Sequence, residues 1–326
     1  MEKTTQKEEL SKDELLLKDL RDRAAKGTLL GEFPGIPDSV YHHADCPGVS
    51  SSGLVTAAKQ SYGHWLASIA KDNEPTPAME LGTQFHKALL EPKAFENEFI
   101  DERLIPDYGE KPKIDRRTKA GKLQYAEFEK IYETWEKEIL APWQALHGHK
   151  KVLKAERVEI LQGMIKVAHE NSYLMSVMDG AEFETSFWYR DPKTGVLMRC
   201  KTDIINHDMK IIVDVKSTIN ASPAGFGRSC VNFDYDVKSE FYCRIIEGLK
   251  KEGYAYFFYA AEKVEPFASA NYYMHEELRE NAKIGLDLWL EKFAEDSAKP
   301  EVEYYGQKIM PLELPRYGMS DYRFGG

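Results

Sequence analysis

The chain has 326 residues, 42% hydrophobic and 12% aromatic, with a net charge of −10, enough apolar content for a substantial core in one large domain or two ordinary ones. No apolar run approaches the roughly 20 residues that span a bilayer, and the N-terminus lacks the apolar segment of a secretion signal, so a soluble cytoplasmic protein with no membrane partner is expected. The acidic balance argues against a protein that coats nucleic acid through broad electrostatics, because phosphate neutralisation by Lys and Arg dominates such affinity, yet it leaves room for a local basic track. Cys46, Cys200, Cys230 and Cys243 show no CxxC spacing, so neither a zinc knuckle nor a disulfide framework is expected.

Residues 1–30 alternate charges around Leu15, Leu16, Leu17 and Leu20 and end at Gly27. They read as a charged N-terminal extension, helical or disordered. A single folded domain is expected over 31–326. Turn-rich sequence from Gly31 gives way to a helix expected over about 52–70, whose serines offer N-caps. A second helix, about 78–90, carries His86 and stops at Glu91-Pro92. Residues 111–122 hold six basic side chains against one acid, whereas 276–313 hold ten acids against five bases; taken alone, the first segment reads as a solvated loop leading into a helix rather than as a basic track. Helices are expected at about 119–139 and 151–178. From Ala181 the pattern becomes a three-stranded meander: FETSFWYR, the turn DPKTG, VLMRCKTDII, a polar break at 207–210, and IIVDVKST. A helix at about 235–250, a buried strand at 254–261, a strand at about 267–274 and a helix at 275–295 complete an α/β pattern.

The meander concentrates the chemistry. If its second and third strands pair antiparallel around 207–210, Asp203 lies directly opposite Asp214, and period two puts Lys216 on the same face. Counting through the first turn sets Glu184 nearly opposite Thr202, bringing a third acid beside Asp203. Carboxylates and an ammonium on one face of an otherwise apolar hairpin are costly to bury unless a cation or substrate compensates them. Paired carboxylates are hard oxygen ligands suited to Mg2+ or Mn2+, and such ions activate water against phosphodiesters. Lys216 would then orient or deprotonate the water, or neutralise charge developing on the phosphate. Taken alone, D-x10-D-x-K also fits a cross-strand ion pair on a half-exposed hairpin.

Further segments fall in order around that hairpin: YHHADCPGVSSSGL at 41–54, LGTQFHKALLEP at 81–92, DRRTKAGK at 115–122, DPKTGVLMRCKTDII at 191–205 and DVKST at 214–218. Together they resemble the nuclease domain of RecE-type exonucleases (exodeoxyribonuclease VIII), within the PD-(D/E)xK nuclease superfamily, over nearly all of 31–326. The resemblance implies an α/β PD-(D/E)xK core with a central mixed β-sheet flanked by helices. It implies Asp203 and Asp214 as metal ligands, Lys216 as the catalytic lysine, the Val215 carbonyl as a backbone ligand, Glu184 as support from the preceding strand, and His86 as the helix histidine completing the metal site. Arg116, Arg117 and Lys119 match a basic family segment suited to phosphate. Where many relatives carry Gln-x3-Tyr after the lysine strand, this chain has Lys238 and Tyr242, so Lys238 either contacts a phosphate or is an exposed helix lysine. No cysteine follows Cys243, so the iron–sulfur cluster of some relatives is not expected.

The implied activity is a Mg2+-dependent DNA exonuclease, with Mn2+ as substitute, working 5′ to 3′ on linear duplex ends to leave a 3′ strand for recombination. The implied partners are double-stranded DNA ends, a RecT-type single-strand annealing protein, and further copies of the chain in a ring, in a bacterial or phage-infected cell. Two alternatives use the same residues differently: an endonuclease or single-strand nuclease of the superfamily, and a non-catalytic DNA-end-binding recombination factor.

Overall fold

The computed structural model describes residues 10–71, 74–302, 304, 305 and 309. Its centre is a six-stranded mixed sheet built from β1 (Gly31–Phe33), β4 (Glu182–Arg190), β5 (Leu197–Asn206), β6 (Ile211–Thr218), β7 (Ala255–Glu262) and β8 (Ser269–Tyr273), in the order β1-β4-β5-β6-β7-β8. All neighbours are antiparallel except β6 and β7. That one parallel pair needs a crossover, supplied by α11 (Pro223–Phe233) and α12 (Tyr235–Lys250). The short strands β2 (Phe99–Asp101) and β3 (Lys151–Leu153) pair separately.

Helices cover both faces. On one side α12 packs with α3 (Ser51–Lys59) and α13 (Glu276–Ser297), burying Phe241, Ile245, Leu54 and Leu286 against Ile205, Ile212 and Phe258. On the other, α5 (Pro77–Leu90), α9 (Ala155–Glu170) and α10 (Ser172–Met178) bury Phe85, Met164 and Val177 against Ile204, Val213, Val215 and Tyr259. β6 alternates cleanly between these layers, with Ile212 facing α12 and Val213 facing α5. At the sheet edge, α1 (Lys12–Ala25) and α2 (Asp38–Tyr41) close a third cluster in which Leu20, Val40 and Tyr41 pack on Trp188. The remaining α-helices among the described residues are α4 (Tyr62–Ile69), α6 (Pro92–Glu98), α7 (Lys119–Trp135) and α8 (Ala141–His147). Among the described residues no helix is long and apolar enough to cross a membrane.

Several expectations change in detail. The helix expected over 52–70 is two: the chain breaks at Gln60, and the Ser61 hydroxyl starts α4 by accepting from the His64 N–H. The 151–178 stretch opens with β3 and divides at Asn171 into α9 and α10. Helix α11 was not expected, although Ser222-Pro223 is a strong start signal, an N-cap hydroxyl followed by proline at the first helical position. The strand 255–262 is buried as expected, with Tyr259 and Ala260 inaccessible, so its aromatics are core rather than stacking platforms.

Candidate active site

The site forms where β5 and β6 part. Their ladder runs Asn206↔Ile211, Ile205↔Ile212, Ile204↔Val213 and ends there. Beyond that pair β5 continues against β4 and β6 against β7, so the sheet opens into a fork at Asp203 and Asp214. The expected register is the one found. In place of the next ladder bond, the Val215 N–H donates to Asp203 Oδ2 at 2.7 Å.

A second irregularity sits opposite. β4 and β5 pair as Phe183↔Ile204 and Thr185↔Thr202, skipping Glu184 and Asp203. Glu184 therefore faces Asp203, beside which the turn count nearly opposite Thr202 had set it. Phe183 and Ile204 join the α5 cluster, whereas Phe187 and Cys200, each four residues away along its strand, join the α12 cluster. Strict alternation would put residues four apart on one face; the inversion occurs at this skipped pair, and Glu184 carries it with a left-handed φ of 50°. A non-glycine residue in that conformation is strained and persists only where its surroundings enforce it.

The fork lets side chains from opposite helix layers reach one point. His86 comes from α5, with Nδ1 3.6 Å from Asp203 Oδ1, and its ring also faces the Val215 carbonyl. Gly82, one turn earlier, explains the GxxxH spacing: a Cβ there would lie 3.3 Å from Ser217 Oγ, so glycine lets α5 run close to β6. One ligand atom each from His86, Glu184 and Asp203 lie within 4.8 Å of one another, a spacing that fits a metal ion. Asp214 lies outside that trio and ion-pairs with Lys216. From α12, Lys238 and Tyr242 line a cleft of about 760 Å3 together with Asp214, Lys216, Arg228 and Lys263. His86 and Tyr242 also line an adjoining cavity of about 210 Å3 that holds Glu184, Lys201 and Asp203.

The electrostatics follow from this crowding. Burial, and then the neighbouring Asp214 carboxylate, push the Asp203 pKa well above the ordinary carboxylate range. Burial and the Asp203 charge raise Glu184 to about 7. Burial makes ionising these acids costly, and a hard divalent cation would offset that cost; the donor set of carboxylate oxygens, imidazole and carbonyl fits such an ion. Burial works against the Lys216 charge, but Asp214 and Asp203 outweigh it and hold the amine protonated. Burial and the Lys216 charge lower Lys238.

Sequence reasoning missed two members of this site. The Tyr235 ring lies 5.3 Å from Lys216 Nζ and 5.8 Å from Lys238 Nζ, within reach of both ammonium groups. Lys201 Nζ lies 3.3 Å from Glu184 Oε2 and also pairs with Asp38. Both had a signal: Tyr235 precedes Lys238 by three on one helix face, and Lys201 precedes Asp203 by two. Arg116, Arg117 and Lys119, in contrast, are not brought to the cleft. Arg117 closes on Asp115, Arg116 packs over Tyr125, and Lys119 begins α7. A second ligand-like group, Glu32, Glu182 and His207, is already tied up: His207 contacts Tyr254 Oη and Glu32, both at 2.9 Å, and Lys250 pairs with Glu32. It clasps β1 to the β5–β6 turn and the end of α12.

Residues 50–295 match the model of a PDDEXK-like domain family of unknown function, DUF3799. The chain belongs to that family. Among solved structures, a "Putative exonuclease" from Eubacterium rectale is similar at a TM-score of 0.54 and 14% identity, over 86% of this chain and 96% of that one. A second, SSO0001, covers 47% of this chain and 68% of its own at 14% identity and a TM-score of 0.25, too low to carry an argument. No curated protein matches. The PDDEXK-like core thus agrees with the expected mixed sheet flanked by helices, with the D-x10-D-x-K residues at its fork.

Proposed function

We propose that this PDDEXK-like chain is a metal-dependent deoxyribonuclease that hydrolyses phosphodiester bonds from duplex ends. One observation carries the reading: Asp203, Asp214 and Lys216 meet at a break in the sheet beside His86 and Glu184, at the wall of a cleft lined by Arg228, Lys238 and Lys263. His86, Asp203, Asp214 and the Val215 carbonyl would hold the ion, with Glu184 supporting them from β4. A bound Mg2+ or Mn2+ would polarise the phosphate and lower the pKa of the attacking water. Lys216, held as an ammonium by its carboxylate neighbours, acts as a hydrogen-bond donor to phosphate oxygens on which charge grows, rather than as the base. Lys238 and Arg228 align the backbone along the cleft, Arg228 as a planar fork suited to phosphate. Tyr242 forms the wall shared by the cleft and the acidic cavity.

Polarity belongs to the same proposal. The RecE-type resemblance favours 5′ to 3′ digestion of linear duplex, leaving a 3′ strand for a RecT-type annealing protein in a phage recombination module. It also favours a homo-oligomeric ring, in which an acidic chain needs to be positive only along its channel. Arg116, Arg117 and Lys119 are proposed as an outlying part of that DNA track. The deciding experiment is release of acid-soluble nucleotides from a linear duplex with Mg2+, comparing the parent with Lys216→Ala. Turnover should fall by at least about 10²-fold while Mn2+ and DNA binding persist. Rapid cutting of a closed circle would instead identify an endonuclease, and DNA-end binding without any nucleotide release would identify a non-catalytic end-binding factor.

A further inference from the structure

Each of the three clustered carboxylates already commits one oxygen to a donor of the chain. Asp203 Oδ2 accepts the Val215 N–H at 2.7 Å. Asp214 Oδ1 is paired with Lys216. Glu184 Oε2 lies 3.3 Å from the Lys201 ammonium, whose side chain is only 11% exposed and which is itself anchored by Asp38. Each carboxylate keeps one oxygen outside these bonds, and that of Asp203, Oδ1, lies 3.6 Å from His86 Nδ1.

Two-ion sites that process phosphodiesters hold their ions about 3.5–4 Å apart, and that spacing requires carboxylates able to offer oxygens to both. Here the far side of Glu184 is filled by Lys201 and that of Asp214 by Lys216. A divalent ion entering beside Lys201 would face a fixed like charge at close range in a poorly screened pocket, a cost of several kcal/mol at an effective dielectric of about 20. We propose that the site takes a single divalent ion per chain, and that Lys201 is a positioning residue whose ammonium stands where a second ion would otherwise sit while fixing the rotamer of Glu184. The inference rests on the metal-dependent reading above and adds the stoichiometry and the residue that sets it.

The test counts ions rather than turnover. The full chain, free of nucleic acid, is titrated with Mn2+, and the unbound ion is followed by electron paramagnetic resonance. Asp203→Asn serves as the reference that subtracts weak binding by surface acids. The expected result is one Asp203-dependent Mn2+ per chain in the parent and in Lys201→Arg, and two in Lys201→Met, with the exchange-coupled spectrum of a close Mn2+ pair. Two Asp203-dependent ions in the parent overturn the inference. So does a count of one or none in a folded Lys201→Met or Lys201→Gln, since Lys201 would then not be what excludes the second ion. A parent that binds no Asp203-dependent ion rejects the metal-dependent function itself, whereas one ion without nuclease activity rejects the function and leaves the stoichiometry standing.

Discussion

At the scale of single residues, the site stores strain in its scaffold. Glu184 combines a φ of 50° with a buried carboxyl raised to about 7 by burial and by Asp203, and both features cost stability. Replacing it separates the backbone from the charge. Glu184→Gly should be more stable than Glu184→Ala by about 1 kcal/mol in urea denaturation, the reverse of the usual order, because only glycine is relaxed at that φ. Both variants should lose cleavage. An alanine variant equal to or more stable than glycine would show that the left-handed conformation is not held in solution. The carboxylate pair and the lysine were legible in sequence because they depend only on strand periodicity and register. The strain was not, because nothing in FETSFWYR marks one position for a left-handed turn, even though the turn count already brings Glu184 beside Asp203.

Among elements, legibility tracked how local the determining interaction is. The meander and helix α12 followed from turn residues and apolar periodicity, whereas the break at Gln60 rests on one N-cap serine, Ser61, among several that the segment offers, and the strand β1 is too short to carry a pattern. The clasp between Glu32, His207 and Lys250 is another element-level feature invisible to spacing, since it joins residues far apart in the chain. Burial alone would raise the Glu32 pKa, but hydrogen bonds from Lys250 and His207 outweigh it and leave the pKa below the usual value. A carboxyl depressed in the folded state contributes stability that is present above its unfolded pKa and lost as pH falls through the folded one. Glu32→Gln should therefore destabilise the protein by about 1–2 kcal/mol at pH 7, and the gap should narrow below about pH 4.5. Denaturation midpoints measured at both values check this; a gap that widens in acid would mean the clasp contributes nothing through its charge.

At the scale of the whole molecule, a chain of net charge −10 presents four cations, Lys216, Arg228, Lys238 and Lys263, around one cleft. On the proposed reading, the cleft itself would contact only a few phosphates. The logarithm of the DNA association constant should fall against the logarithm of salt with a slope of about −3 to −4 for one chain, shallower by about one in Arg228→Ala. A slope near zero would remove the cleft from the binding path, and an unchanged slope in the variant would remove Arg228.

The fork in the sheet has one more consequence. Its candidate groups come from α5, β4, β5, β6 and α12, on opposite sides of the sheet, so no single hairpin contains them all and the set is complete only once α12, the last of them in the chain, has been made. On the proposed reading, cleavage would then have to wait until α12 has packed onto the sheet that carries the other groups.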